Sequence, residues 1–236
     1  AISNCYLSWG WKDKNEPKVR PVGQIKRTMP LEVNEKENNR ILLVTNANPR
    51  YSNNLFSCTL SSQWLDYLDD QFKFVEKLSE DLQDLLTIRL YSHDYGWEQE
   101  KRWKGQYPDL YIDNGKTDIY KLMSKARLYV STYNALTYLE SFAMDIPTVI
   151  FWNPKHWEIR DSALPYFNKL KQVNIFHETP ESAALHVREV WDDVYGWWKS
   201  KALRKVLDEF KSKYCDVSCD LTDNIEKVLL EHSSNN

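Results

Sequence analysis

Glycine is scarce in this chain, with only six among 236 residues. Neither GxGxxG nor GxxxxGK[ST] can be written anywhere in it, which excludes a glycine-rich phosphate cradle. Any phosphate must then be held by a helix terminus and by side chains. Asp-x-Asp is absent as well. That removes the usual carboxylate pair by which sugar transferases hold Mg²⁺ or Mn²⁺ on a diphosphate, so neither a metal nor another cofactor is implied. No apolar run approaches the roughly 18 residues of a membrane span, and no signal peptide leads the chain. The expected location is cytoplasmic, and the aromatics leave room for peripheral contact with the inner face of the membrane. The four cysteines (Cys5, Cys58, Cys215, Cys219) lack the spacing of a zinc site and read as free thiols in a reducing compartment. Excess positive charge is also missing: 31 Lys and Arg face 34 Asp and Glu, for a net charge of -3. Nucleic acid, which needs a basic face, is not an expected partner.

Aromatic residues are what the chain has in quantity, at 14% with ten Trp. Residues 1–39 differ from the remainder: Tyr6, Trp9 and Trp11 cluster, then charges and three prolines (Pro17, Pro21, Pro30) lead into a polar run from Glu32 to Arg40. This reads as an arm or linker whose Trp cluster covers a surface, and it suggests a preceding domain. From residue 40 to 236 apolar runs and amphipathic stretches alternate. Ile41 to Thr45, Leu86 to Tyr91, Leu110 to Ile112, Leu128 to Val130, Thr148 to Trp152 and Ile175-Phe176 have the continuous apolar character of buried parallel strands. Ser61 to Leu82 repeats apolar residues at helical spacing, Asp118 can cap a helix through Ala126, and Thr179-Pro180 is a helix start. That last helix is expected to run toward Trp197-Trp198, with further helical pattern over 201–213 and 221–230. The expected fold is α/β: a doubly wound, Rossmann-like parallel sheet with extra C-terminal helices.

Ligands on such sheets bind outside the carboxyl ends of the strands, where the loops 46–54, 92–97 and 131–134 should converge. In the last of these, Ser131, Thr132 and Asn134 fall where strand gives way to helix. Unpaired backbone N–H groups and the helix dipole favour an anion there. Thr137 lies one turn on, equally a helix-surface residue. Glu140 is the one carboxylate in an otherwise apolar helix and can reach the hydroxyls of a ribose. Arg89 is the cation within the second strand of this set and can pair with a phosphate, or else face solvent at an edge. His93 and Asp94 lie just past that strand's end, and His93 is the candidate for proton transfer or a phosphate contact. Trp97, Trp103, Trp152 and Trp157 could stack on a base or sugar, although Trp more often packs in cores.

The run STYNALTYLESFAMDIPTVIFW resembles the signature of the C-terminal, donor-binding domain of GT-B glycosyltransferases. IRLYSHDYGW resembles the Arg-x-x-x-His element of polysaccharide-building members of that fold. From about residue 40 to 213, including IFHETPESAALHVREVW and YGWWKS, the chain is similar to a bacterial family of sugar transferases from surface-polysaccharide gene clusters. SWGW and the proline-containing arm look like the end of that family's N-terminal half. The resemblance implies a metal-independent glycosyltransferase using a nucleotide-sugar donor and a saccharide or lipid-linked acceptor. It implies an acceptor domain N-terminal to this half, where such enzymes usually keep their general base. It places Arg89 and His93 against phosphate or a sugar acid, Ser131, Thr132 and Asn134 at the phosphate, and Glu140 on sugar or ribose hydroxyls. A nucleotide-sugar epimerase of the same fold, or a non-catalytic module binding glycan or a partner, are the alternatives.

Overall fold

A computed structural model describes residues 4–26, 38–51, 59, 61–217 and 220–233. Cys58, Cys219, most of the polar run 32–40 and the far part of the 46–54 loop lie outside the described residues. In chain order the elements are β1 (Tyr6–Ser8), β2 (Val19–Pro21), β3 (Arg40–Val44), α1 (Trp64–Lys77), α2 (Glu80–Asp84), β4 (Leu86–Arg89), α3 (Gln99–Gln106) and β5 (Tyr111–Asp113). They continue as α4 (Ile119–Met123), β6 (Ala126–Ser131), α5 (Leu136–Ala143), β7 (Thr148–Phe151), α6 (Leu164–Gln172), β8 (Phe176–His177), α7 (Pro180–Val190), α8 (Val194–Lys199), α9 (Lys201–Tyr214) and α10 (Leu221–Ser233).

Six strands form one sheet in the order β5-β4-β3-β6-β7-β8, and every pairing is parallel. Successive residues of a strand point to opposite faces, and here both faces are covered. Phe151 stacks on Phe74 of α1 with ring centroids 5.1 Å apart, while the next residue, Trp152, meets Phe167 of α6 at 5.7 Å. Burial on both sides explains why Ile41 to Val44 and Leu128 to Val130 carry no polar alternation except the Tyr129 phenol. Withdrawing a side chain such as Phe151 from water contributes about 2–3 kcal/mol.

The sheet is built outward in two directions. Chain order runs from β3 to β4 and β5, then returns to β6 beside β3 and proceeds to β7 and β8. The point of reversal lies between β3 and β6, the place at which sheets of this topology bind their ligands.

Some helices are shorter than the periodicity suggests. The amphipathic run 61–82 breaks at Leu78, whose extended backbone (ψ 153°) separates α1 from α2. The Asp118 cap forms as read, accepting from the N–H groups of Tyr120 and Lys121 at 2.8 and 3.1 Å. Its helix stops at Met123, because β6 claims the chain from Ala126. Thr179 caps α7 as its sequence indicates, with Pro180 in the first turn. A tight turn at Trp191–Asp193 then divides the long helix into α7 and α8.

Residues 6–21 make a small two-stranded parallel ladder, β1 beside β2. It is fastened to the C-terminal helices: the Asp216 N–H donates to Trp9 O at 3.0 Å and the Gln24 N–H to Asp216 O at 2.7 Å. Gly10 (φ +146°) permits this approach, since a Cβ there would lie 2.4 Å from Ser212 O. Among the described residues no helix is long and apolar enough to cross a membrane.

Candidate functional site

The candidate site starts where β3 and β6 end. Thr132 bridges the two strands: its N–H and its Oγ1 both donate to Val44 O, at 3.4 and 2.9 Å. The same hydroxyl lies 2.6 Å from the Tyr67 phenol of α1, which also accepts the Asn46 N–H at 2.8 Å. Burial raises the Tyr67 pKa, so the phenol stays protonated and can serve both neighbours. Ser131 Oγ donates to Tyr133 O at 3.2 Å. Ser131 and Thr132 are therefore buried and engaged in holding the turn, and their hydroxyls face no open space.

Helix α5 begins only at Leu136, after Tyr133-Asn134-Ala135. Ala135 and Leu136 are exposed, and the cap residue Ala135 supplies no side-chain acceptor. The first N–H groups of a helix have no partner within it, so the anion-competent edge runs over residues 134–137. Nearby, Asn134 Oδ1 accepts from Tyr138 OH at 3.1 Å, and Thr137 Oγ1 lies 2.9 Å from the Tyr133 phenol.

Glu140 lies one turn further along α5, facing inward and only 1% exposed. One carboxylate oxygen, Oε1, pairs with Lys26 Nζ at 2.8 Å. The other, Oε2, is buried without a hydrogen-bond partner among the described residues. The hydroxyl of Tyr129, fully buried on β6, lies beside Thr137 and Ser131 without completing a hydrogen bond. The buried Tyr120 hydroxyl lies beside both Lys26 and Glu140, likewise without completing a hydrogen bond among the described residues, so this corner of the site gathers a carboxylate, an ammonium and a phenol.

Arg89 and His93 sit on the other side of the switch point. The Arg89 guanidinium donates to Leu90 O at 2.9 Å and Thr117 O at 3.1 Å, and it pairs with Asp113 at 3.2 Å. Its ion pair is 14% and 5% exposed, so Arg89 acts first as a clamp between the ends of β4 and β5. His93 is exposed and packs edge-on against Tyr95 at 4.3 Å. Asp94 points into its own loop, accepting from the Glu98 and Gln99 N–H groups at 2.8 and 2.7 Å. Burial pushes its pKa up, but those two N–H groups outweigh it and hold the carboxyl below its usual range.

The tryptophans considered as stacking platforms are packing residues. Trp97, Trp103, Trp152 and Trp157 are all at most 5% exposed. Trp97 stacks on Trp64 at 4.3 Å and its N–H reaches Asn48 O at 2.7 Å, tying the β4 loop to the β3 loop. Sequence reasoning missed Lys26, Tyr129 and Tyr133. A tyrosine at the centre of an apolar strand was a readable signal for Tyr129, whereas nothing local marked Lys26. Beside the helix start lies a cleft of about 490 Å³ lined by Trp9, Trp11, Asn134, Leu136, Arg160 and Tyr214 among others. Among the described residues no group of three or more His, Cys, Asp or Glu converges to hold a metal ion.

A family model described as "LIC12162 family transferase" matches residues 1–229. Comparison with curated proteins gives no match. Among solved structures the chain is similar to the wall teichoic acid polymerase TagF. One variant of that enzyme is 13% identical with a TM-score of 0.44, over 86% of this chain and 45% of the polymerase chain. Another, soaked with CDPG for 30 minutes, is 12% identical with a TM-score of 0.47, over 98% and 57%. The chain spans about half the length of these structures.

Proposed function

The chain belongs to the LIC12162 family of transferases, and from that premise we propose that it is the donor-binding half of a metal-independent GT-B glycosyltransferase. The donor is a nucleotide-activated sugar, bound in the crevice between the ends of β3 and β6. The observation that carries this reading is the buried, half-unpaired Glu140 carboxylate one turn inside a helix whose N-terminus is open. Spaced in this way, the two features suit a ligand having hydroxyls at one point and phosphate at the next.

Each group has a role set by its charge and position. Glu140 Oε2 accepts from sugar or ribose hydroxyls, while the N–H groups at 134–137 and the dipole of α5 receive the diphosphate. When the glycosidic bond to the donor phosphate breaks, negative charge grows on the leaving oxygen, and fixed N–H dipoles stabilise it without a metal. Thr132 and Tyr67 hold the turn that aims those dipoles. Arg89 fixes the loop that carries His93, the exposed candidate for a proton-transfer or phosphate contact. The acceptor, a saccharide or lipid-linked saccharide of a bacterial surface polymer, is brought by an N-terminal acceptor domain at the cytoplasmic side of the membrane.

Calorimetric titration with UDP-, GDP- and CMP-linked sugars tests this. One class should bind with a Kd in the micromolar range (~1–100 μM), and Glu140→Gln should weaken it by about tenfold or more. Binding of none of these donors, or equal binding by the variant, contradicts the proposal.

A further inference from the structure

The arm that precedes the main sheet brings three aromatic rings to the start of α5. Trp9 and Trp11 are half-buried and Tyr6 is 53% exposed, with the Tyr6 and Trp11 ring centroids 5.5 Å apart. Their backbone is held in place: Ser8 Oγ donates to Trp11 O at 2.5 Å, and the Asp216 N–H donates to Trp9 O at 3.0 Å. Rings on a fixed backbone lose little freedom when a ligand packs on them. They line the cleft of about 490 Å³ beside Asn134 and Leu136, and Leu136 is itself 52% exposed.

The segment leaving β7 borders this cleft and also a second, larger cavity of about 1120 Å³. Aromatic residues line the larger one too, at Trp157, Phe167 and Phe176. Glu158, Ile159, Arg160 and Phe167 belong to both linings, so the two spaces adjoin across Arg160. That arginine is exposed, and among the described residues its guanidinium has no hydrogen-bond or salt-bridge partner. Pockets for a single small ligand span ~300–1,000 Å³, so the pair has room for more than one sugar ring.

The chemistry of the lining selects the occupant. One face of a pyranose presents C–H groups that pack on an aromatic ring, and its edge presents hydroxyls that bond to carboxylates and guanidinium groups. Both kinds of partner are here. Lys155 and Arg160 stand among Glu158, Asp161 and Glu178, so no excess of positive charge draws a polyphosphate or a nucleotide. A wholly apolar lipid chain would take those charged groups out of water without giving them partners. An uncharged saccharide meets both demands.

We infer that the aromatic cleft and the larger cavity form one groove for an uncharged oligosaccharide, and that this is the acceptor glycan. The cleft shares Asn134 and Leu136 with the 134–137 edge, so a chain lying in it brings its end to the leaving group. The acceptor role therefore rests on the reading of that edge as the donor phosphate site. The reacting ring lies against Trp9 and Trp11, and the rings behind it continue past Arg160 toward β8.

Calorimetric titration with glucose, mannose and N-acetylglucosamine oligomers of one to six rings tests this. Affinity for at least one series should rise with length, by about tenfold between one ring and four. Trp11→Ala should weaken the longest oligomer by about tenfold, and Arg160→Ala by about threefold or more. Because Arg160 is exposed and without partners, a loss in that variant is not a failure to fold. Inorganic polyphosphate should not compete. Absence of binding by every neutral series, affinity independent of length, competition by polyphosphate, or equal affinity in wild type and both variants overturns the groove. Titration of the same preparations with nucleotide sugars separates the two readings. Donor binding without oligosaccharide binding overturns the groove alone, and oligosaccharide binding without donor binding overturns its acceptor role. A wild type that binds neither overturns both.

Discussion

The Tyr67 phenol and the Thr132 hydroxyl lie 2.6 Å apart, joining helix α1 to the turn that leaves β6. Because the same phenol accepts the Asn46 N–H, one oxygen fixes both loops that flank the switch point. Tyr67→Phe leaves the Asn46 N–H without its acceptor while Thr132 keeps its bond to Val44 O. The expected loss is about 1–2 kcal/mol in urea unfolding. Donor affinity should fall as well, since the turn that aims the α5 N–H groups is no longer pinned.

The Arg89–Asp113 pair allows a distinction between a phosphate ligand and a structural clamp. Arg89→Ala leaves the Asp113 carboxylate, which is only 5% exposed, without its cation and with the Gly115 N–H as its remaining donor. Loss of one partner of a buried pair costs about 3 kcal/mol or more. Combining Arg89→Ala with Asp113→Ala in a double-mutant cycle should recover a substantial part of it. Additive losses in denaturant titrations would show that the pair is not coupled.

Gly115 supports the same clamp from below. Its φ is +86°, and a Cβ there would sit 2.3 Å from Ser92 Cα and 2.8 Å from an Arg89 guanidinium nitrogen. Gly115→Ala should therefore cost at least ~2 kcal/mol by backbone strain and displacement. Thermal unfolding of this variant should show a lower midpoint, and an unchanged midpoint would contradict the packing described.

Acid sensitivity should come from the far edge of the sheet. His186 is nearly buried, with its ring 5.5 Å from that of His177 and 4.8 Å from Trp197. Burial, helped by the neighbouring His177, lowers its pKa from 6.5 to about 4. The unfolded chain then binds the proton more readily than the folded one. Its stabilising effect is complete above pH 6.5 and is lost as pH falls from there toward 4. Unfolding free energy should drop by about 3 kcal/mol over that interval through this group, and His186→Gln should flatten the profile. The same slope in both proteins would assign the acid loss elsewhere.

The central strands of the main sheet were legible in the sequence because burial on both faces leaves continuous apolar runs such as Ile41 to Val44, whereas edge strand β5, with Tyr111 exposed, showed only as the short run Leu110 to Ile112. Helix starts were legible at Asp118 and Thr179, where a side chain makes the cap, but not at Asp193, whose cap of α8 lies inside a continuous helical pattern. The start of α5 was not, since its cap residue is Ala135, and Ser131 and Thr132 drew attention to a point four residues early. The Thr132 hydroxyl is engaged by Tyr67 and Val44 from distant segments, while the Ser131 hydroxyl turns back to Tyr133 O within its own turn. The Lys26–Glu140 pair was invisible for the same reason: the carboxylate stood out in an apolar helix, but its cation comes from before β3. Tryptophan composition also pointed two ways, and only burial shows that Trp97 and Trp157 fill the core.

The most direct test is a structure of the protein bound to the nucleotide sugar it holds most tightly. The account predicts phosphate oxygens at about 2.8–3.2 Å from backbone N–H groups in 134–137, with a ligand hydroxyl at similar distance from Glu140 Oε2. A nucleotide bound away from the β3–β6 crevice, with Glu140 still paired only to Lys26, would contradict it.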